Sequence, residues 1–103
     1  MFFTKLKIDI NKEVEKADQT NGLIIDVRSR EEYHSGHIAK SRNIPLEQIG
    51  NLQTRKDQPL YLYCLSGARS AAAASILKRS GYTNITDMGS IMKWKKGLKR
   101  GEK

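Results

Sequence analysis

One cysteine stands in the whole chain, and it stands where a strand runs into a helix. Tyr61-Leu62-Tyr63 leads into Cys64-Leu65-Ser66-Gly67-Ala68-Arg69-Ser70, and Ala71-Ala72-Ala73-Ala74 follows at once. The aromatic and apolar run reads as a strand, the Ser-Gly segment as a tight loop, and the alanines as the body of a helix. Backbone N–H groups in such a loop form an anion-binding nest. The helix N-terminus adds partial positive charge, and Arg69 adds a full one. These surroundings favour the thiolate, the form in which cysteine acts as a nucleophile. They also suit an anion carried on the sulfur, with no neighbouring histidine needed. A lone cysteine is otherwise a small buried hydrophobe; the glycine, the arginine and the helix start set Cys64 apart from that reading.

The other loop residues take supporting parts. The N–H groups of Leu65, Ser66, Gly67, Ala68, Arg69 and Ser70 are the expected donors to a bound sulfur or anion. Gly67 supplies backbone freedom. The hydroxyls of Ser66 and Ser70 face two uses, the bound sulfur or the loop backbone. A cation at a helix N-terminus is electrostatically unfavourable, so Arg69 calls for an anion. Substrate is the expected one, with a carboxylate across the loop as the alternative.

The elements that must hold this loop follow from pattern. Lys5-Leu6-Lys7-Ile8 alternates as a short strand. Asp9 or Asn11 caps a helix over about 11–18. Leu23-Ile24-Ile25-Asp26-Val27 is an apolar run broken only by Asp26, which suits a buried parallel strand. Ser29 caps a short helix that Gly36 stops. Residues 41–44 lead extended into Pro45, and Leu46 to Ile49 form a helical turn. Pro59 opens the strand at 60–63. The helix from Ala68 ends near Gly81, with Lys78 and Arg79 in its last turn. Residues 84–87 read as a last strand, and 91–96 as a last helix. Alternating strands and helices with short connections imply an α/β domain with a mainly parallel sheet. Ligands bind beyond the carboxyl ends of such strands, where both Cys64 and Asp26 to Arg28 lie.

Composition narrows the class. The 103 residues make one domain with one core. No apolar stretch approaches the ~20 residues of a membrane span, and the start is too short an apolar segment for a signal peptide. One cysteine leaves no internal disulfide or resolving thiol, which fits a reducing, cytoplasmic compartment. His34 and His37 stand without a cluster at ligand spacing, so no metal site is expected. No cofactor is called for. The formal net charge is +8. From Lys93 onward there are six basic side chains against Glu102 alone. Such a run steers anions or touches RNA, but without aromatic interleaving or a nucleic-acid motif it reads as a solvated, partly frayed terminus. Trp94 reads as a core anchor.

Together these residues resemble the rhodanese-like sulfurtransferases. Asp26-Val27-Arg28 with Glu32-Tyr33 is similar to the family's first signature, and Gly36-His37-Ile38 with Asn43-Ile44-Pro45 to its continuation. Cys64 to Ser70 resembles the active-site loop. Gly81-Tyr82, Asn84-Ile85, Met88-Gly89 and Trp94 resemble the closing segment. The resemblance implies a single domain over residues 1–103, with a central five-stranded parallel sheet flanked by helices. It implies a sulfane sulfur moved through a persulfide on Cys64, from a small anionic donor such as thiosulfate to cyanide, a thiol or a protein acceptor. A monomer is expected. By the same resemblance Asp26 and Arg28 are chiefly structural, and Arg28 with Glu32 is a candidate local ion pair. One departure is Gly89-Ser90, where the family has two adjacent glycines.

Two rival functions share parts of this pattern. Cysteine phosphatases and arsenate reductases also run from a cysteine to an arginine beyond a strand. Their loops have five intervening residues and usually a histidine before the cysteine. Here four residues intervene, and Tyr63 takes the histidine's place. A non-catalytic binding module on the same fold would lack the cysteine or the arginine, and both are present. A persulfide carrier serving another protein or a tRNA-modifying enzyme keeps the chemistry and changes only the acceptor.

Overall fold

A computed structural model describes residues 8–101. Helix α1 spans Ile10–Gln19, and Asp9 caps it by accepting the Asn11 N–H. Strand β1 (Leu23–Asp26) follows, then helix α2 (Arg30–Ser35). Ser29 and Glu32 close a reciprocal capping box at the start of α2, satisfying two N–H groups a helix end leaves unpaired. A two-residue strand β2 (Arg42–Asn43) leads through Pro45 into a 3-10 helix at Leu46–Asn51. Strand β3 (Leu60–Cys64), helix α3 (Ala68–Arg79) and strand β4 (Ile85–Ser90) complete the frame.

The sheet is wholly parallel, in the order β2-β1-β3-β4. It has four strands among the described residues, where five were expected. The expected strand at residues 5–8 falls almost entirely outside the described part. The last strand runs on to Ser90 rather than stopping at Asp87. Its register against β3 slips between Leu62 and Tyr63, which pair with Asp87 and Gly89. Gly89 takes φ +79° there, and the bulge hid the strand's alternation. The expected helix over 91–96 is only a 3-10 turn at Ile91–Lys93. Its sequence is lysine-rich and lacks a helical apolar stripe, so nothing holds a longer helix against the core.

Alternation along β3 decides which way the cysteine points. Leu60, Leu62 and Cys64 join the core cluster that holds Ala73 and Leu77 of α3 and Ile49. Tyr61 and Tyr63 join the opposite cluster, with Ile10 and Ala17 of α1, Ile24, Ile38 and Met88. Side chains two apart on a strand share a face, so Cys64 faces the start of α3. The buried face of α3 is Ser70, Ala73 and Leu77. Small residues nearest the loop let the helix start close under the sulfur.

Among the described residues no helix is long and apolar enough to cross a membrane. Nor do three His, Cys, Asp or Glu side chains group there as a metal site would require.

Candidate active site

Cys64 is fully buried at the end of β3. Its Sγ accepts the N–H of Gly67 at 3.0 Å and of Ser70 at 3.3 Å. The thiol in turn donates to Ser70 Oγ at 3.4 Å, and that hydroxyl donates to the Gly67 carbonyl at 3.2 Å. The loop closes on the sulfur because Gly67 adopts φ +105°. A Cβ at Gly67 meets no atom within 4 Å, so torsion alone demands glycine there. The N–H groups of Ser66, Ala68 and Arg69 take no acceptor among the described residues. Loop and helix-start N–H groups left without an acceptor in this way are the kind that an anion can use. Of the two uses open to the serines, Ser70 serves both the sulfur and the loop backbone.

Arg69 has already found its anion. Its Nη1 and Nη2 donate to Glu32 Oε1 and Oε2 at 2.7 and 2.9 Å, a fork-to-fork pair across the loop. The alternative partner, a carboxylate, is therefore the one in place. Glu32 is held as well by the Ser29 N–H at 2.9 Å. The Arg69 hydrogen bonds, aided by those from Ser29, bring the Glu32 carboxyl down to about 2. The reciprocal hydrogen bond and charge of Glu32 raise Arg69. One carboxylate thus ties the first turn of α2 to the first turn of α3. The expected Arg28–Glu32 pair does not form.

Arg28 pairs with Asp26 instead. Its Nη2 lies 2.6 Å from Asp26 Oδ2, and its Nε donates to both carboxylate oxygens at 3.0 Å. The Arg28 N–H also donates to Asp26 Oδ1, and Nη2 to the Gly36 carbonyl. Tyr63 lies beneath, with the Arg28 guanidinium 5.7 Å from its ring centroid. The Tyr63 hydroxyl accepts the Ile38 N–H at 3.1 Å and stands 3.0 Å from Ser41 Oγ. Burial, with the Asp26 charge, pushes the phenol well above its ordinary range, so it remains a neutral hydroxyl. This cluster fixes the turn after β1, and its side chains make no hydrogen bond to the Cys64 sulfur or its donors Gly67 and Ser70.

Ser90 also takes a part that its sequence position concealed. Its hydroxyl donates to the Leu65 carbonyl at 2.5 Å and accepts the Met92 N–H at 3.0 Å. Its φ of −90° is ordinary for any residue, so the second glycine of the family pattern is not required by this backbone. The sequence held no signal for it, because the expected last strand ends at Asp87, short of the pairing that sets Ser90 beside Cys64. Trp94 is partly buried against the α1-side core, as expected of an anchor.

The family model for the rhodanese-like domain matches residues 10–97. The chain belongs to the rhodanese-like domain family. It is 39% identical over 88 residues to protein YqhL of Bacillus subtilis, covering 82% of this chain and 70% of that protein. It is 31% identical over 90 residues to the thiosulfate sulfurtransferase GlpE of Pseudoalteromonas translucida, covering 84% and 86%. Among solved structures, a rhodanese-like domain protein of Staphylococcus aureus superposes with TM-score 0.75 at 28% identity, covering 92% and 98%. Some other curated relatives are much longer, and the chain spans 26% and 20% of two of them. The α/β rhodanese fold is thereby shown, with a parallel sheet flanked by helices.

Proposed function

We propose that this protein is a sulfurtransferase that carries a sulfane sulfur as a persulfide on Cys64. One observation carries the reading: the Cys64 sulfur accepts two backbone N–H groups of its own loop, at 3.0 and 3.3 Å. The donors are in place before any substrate arrives, so charge on the sulfur is stabilised without reorganisation. The thiolate attacks the outer sulfur of thiosulfate, the S–S bond of the donor breaks, and sulfite leaves with the bonding pair. Sulfite is a stable anion, so no general acid is needed. The free N–H groups of Ser66, Ala68 and Arg69 then face the terminal sulfur. An outside nucleophile attacks that sulfur, and the Cys64 thiolate departs unchanged. No oxidant, metal or organic cofactor takes part in this sequence.

Arg69 acts here chiefly by position. Its pair with Glu32 holds the loop against α2, and the guanidinium edge turned from Glu32 keeps donors for an incoming anion. The four-residue spacing from Cys64 to Arg69 supports sulfur over phosphoryl chemistry, because a shorter ring leaves less room for a tetrahedral group beside the thiolate.

The test is intact mass after incubation with thiosulfate, followed by discharge to cyanide. The native protein should gain one sulfur atom, lose it to cyanide and leave an activated aryl phosphate unhydrolysed. Cys64→Ser should keep its fold and neither gain sulfur nor turn over. Normal turnover by Cys64→Ser ends the persulfide reading. Cys64-dependent phosphate-ester hydrolysis without sulfur loading replaces it with the phosphatase one.

A further inference from the structure

The rim of the site carries groups that sulfur chemistry on a small anion does not use. Few large apolar side chains are exposed among the described residues; of them Leu65, at 41%, follows Cys64 in the chain, and Met92, at 70%, comes two residues after Ser90, the sheet partner of Cys64. They are joined through Ser90, whose hydroxyl bonds the Leu65 carbonyl and the Met92 N–H. Ser90 itself pairs with Cys64 across the sheet. The two apolar side chains therefore grow from a single braced patch of backbone at the cysteine. Both stay exposed among the described residues.

Next to Met92 the chain turns basic. Lys93, Lys95 and Lys96 are all exposed, and none forms an ion pair with another described residue. The segment is anchored, which corrects the expectation of a frayed terminus. Asn11 donates from Nδ2 to the Lys93 carbonyl at 3.0 Å and accepts the Lys95 N–H at 2.9 Å. Farther on, His37 and Lys99 exchange two backbone hydrogen bonds at 2.8 Å. Asp9, the N-cap of α1, is engaged by the Asn11 backbone and side chain, and the Lys95 charge acts on it from a distance. Three exposed lysines on an anchored backbone, without an ion pair to another described residue and beside an exposed apolar pair, have the composition of a docking surface, with steering charge at the rim and apolar contact at the centre.

We infer that this surface, Leu65 and Met92 with Lys93, Lys95 and Lys96, docks a protein acceptor whose cysteine lies among apolar residues flanked by carboxylates. The inference rests on the persulfide reading and names its acceptor class. Cys64 is buried, so only the outer sulfur of a persulfide is within reach of an acceptor. A small nucleophile reaches it without touching the rim. A protein thiol must bring its surrounding surface against Leu65 and Met92, and the ammonium row selects the sign of that surface. In the transfer the acceptor thiolate attacks the outer sulfur, the Cys64–S bond breaks, and the acceptor leaves as the persulfide. The pair of electrons returns to Cys64, and no redox partner is consumed.

The experiment uses the full chain loaded with thiosulfate and checked by intact mass and by discharge to cyanide. Single-turnover transfer is then timed to synthetic peptides, each with one cysteine, flanked by Leu and Glu, by Ser only, or by Leu and Lys. The Leu-Glu peptide should react about tenfold faster than the Leu-Lys peptide at low salt, and the gap should close at high salt. Met92→Ser should slow the Leu-Glu peptide by about threefold to tenfold, as loss of a buried apolar contact does. The combined Lys93→Glu, Lys95→Glu and Lys96→Glu variant should reverse the charge preference. Met92→Ser should discharge to cyanide at the native rate, whereas the charge variant is read by its ratio between the peptides, because cyanide is itself an anion. Equal rates for the three peptides, or a Met92→Ser variant that slows cyanide and peptide alike, overturn the docking surface while leaving the persulfide intact. Failure of the native protein to load or discharge sulfur overturns the persulfide reading, and the acceptor inference with it.

Discussion

Two arginine–carboxylate forks stand at neighbouring strand ends, and they differ in nearly everything but chemistry. Arg28 and Asp26 are two residues apart and almost wholly enclosed, with side chains 7% and 0% exposed. Arg69 and Glu32 are 37 residues apart and half open to solvent, at 37% and 29%. The first is braced by the Gly36 carbonyl, the Arg28 N–H and the ring of Tyr63. The second joins two helix starts over the cysteine loop and keeps an open edge. The enclosed fork sets the architecture of the turn after β1. On the proposed function, the open one sets the position of a loop that has to admit a substrate. The same pair of side chains therefore serves fold or function according to how much water it meets.

The largest effect should come from breaking the enclosed pair. Asp26→Ala leaves the Arg28 guanidinium buried without its carboxylate and removes the acceptor of the Arg28 N–H. Loss of one partner of a buried pair costs about 3–5 kcal/mol, a large part of the stability of a domain this size. Urea unfolding should show a strongly lowered midpoint, and sulfur loading should fall only in proportion to the unfolded fraction. Replacing both partners, Asp26→Leu with Arg28→Met, should recover part of that loss. A double variant no better than Asp26→Ala would mean that the hydrogen bonds to the Arg28 N–H and Gly36, rather than the uncompensated charge, dominate the cost.

The open pair should show the opposite balance. Arg69→Ala should change stability by no more than about 1 kcal/mol, as half-exposed ion pairs do. Donor use should fall by roughly tenfold to a hundredfold, because charge-assisted hydrogen bonds of this kind contribute about 1.5–3 kcal/mol. The measurements are thermal unfolding and the rate of sulfur loading at low thiosulfate. An Arg69→Ala variant that unfolds easily but loads normally would erase the distinction between the two forks.

The difference between the forks also marks how far the sequence could be read. The cysteine loop was legible because each part of it is local: a strand, a glycine free to take positive φ, and an alanine-rich helix. The caps at Asp9, Ser29 and Gly36 were legible for the same reason. The Arg69–Glu32 pair was half legible. A cation at a helix start demands an anion, but sequence spacing does not say which carboxylate the fold delivers from α2. The Asp26–Arg28 pair was concealed by a plausible neighbour, since Glu32 lies one helical turn along and competes on paper for Arg28. Ser90 was concealed by the bulge at Gly89, which shifts by one residue what faces the loop. The mistaken last helix came from reading length without an apolar stripe. The expected fifth strand, at residues 5–8, falls almost wholly outside the described residues.

Acid titration gives a smaller and more specific test of the open fork. Glu32 is ordinarily ionised above about 4.5 and in the folded protein down to about 2. Its folded value is depressed, so its contribution to stability is fully present above pH 4.5 and is lost as pH falls towards 2. The melting-temperature gap between the native protein and Glu32→Gln should therefore be flat from neutral pH to about 5 and shrink below 4.5. Its full size should stay within about 1 kcal/mol, because solvent screens a pair this exposed. A gap that closes near neutral pH would show that Glu32 is not held by Arg69 in solution.

The smallest effect on sulfur loading should come from Ser90, and it separates a side-chain role from a backbone one. The hydroxyl makes two hydrogen bonds, to the Leu65 carbonyl and from the Met92 N–H, whereas its φ of −90° asks nothing special of the residue. Ser90→Ala removes the hydroxyl and keeps the backbone restricted. Because Leu65 and Met92 are exposed, water can replace both bonds, and the cost should be only about 0.5–1 kcal/mol. Ser90→Gly, the residue of the family pattern, should cost about 0.5–1 kcal/mol more, through the freedom it gives the unfolded chain. Sulfur loading should stay within twofold for both, since the donors on the Cys64 sulfur come from Gly67 and Ser70. Urea unfolding ranks native above Ala above Gly if the hydroxyl is a brace on an ordinary backbone. If Gly is instead the more stable of the two variants, residue 90 is strained, and the bulge at Gly89 carries a cost that the family's second glycine relieves.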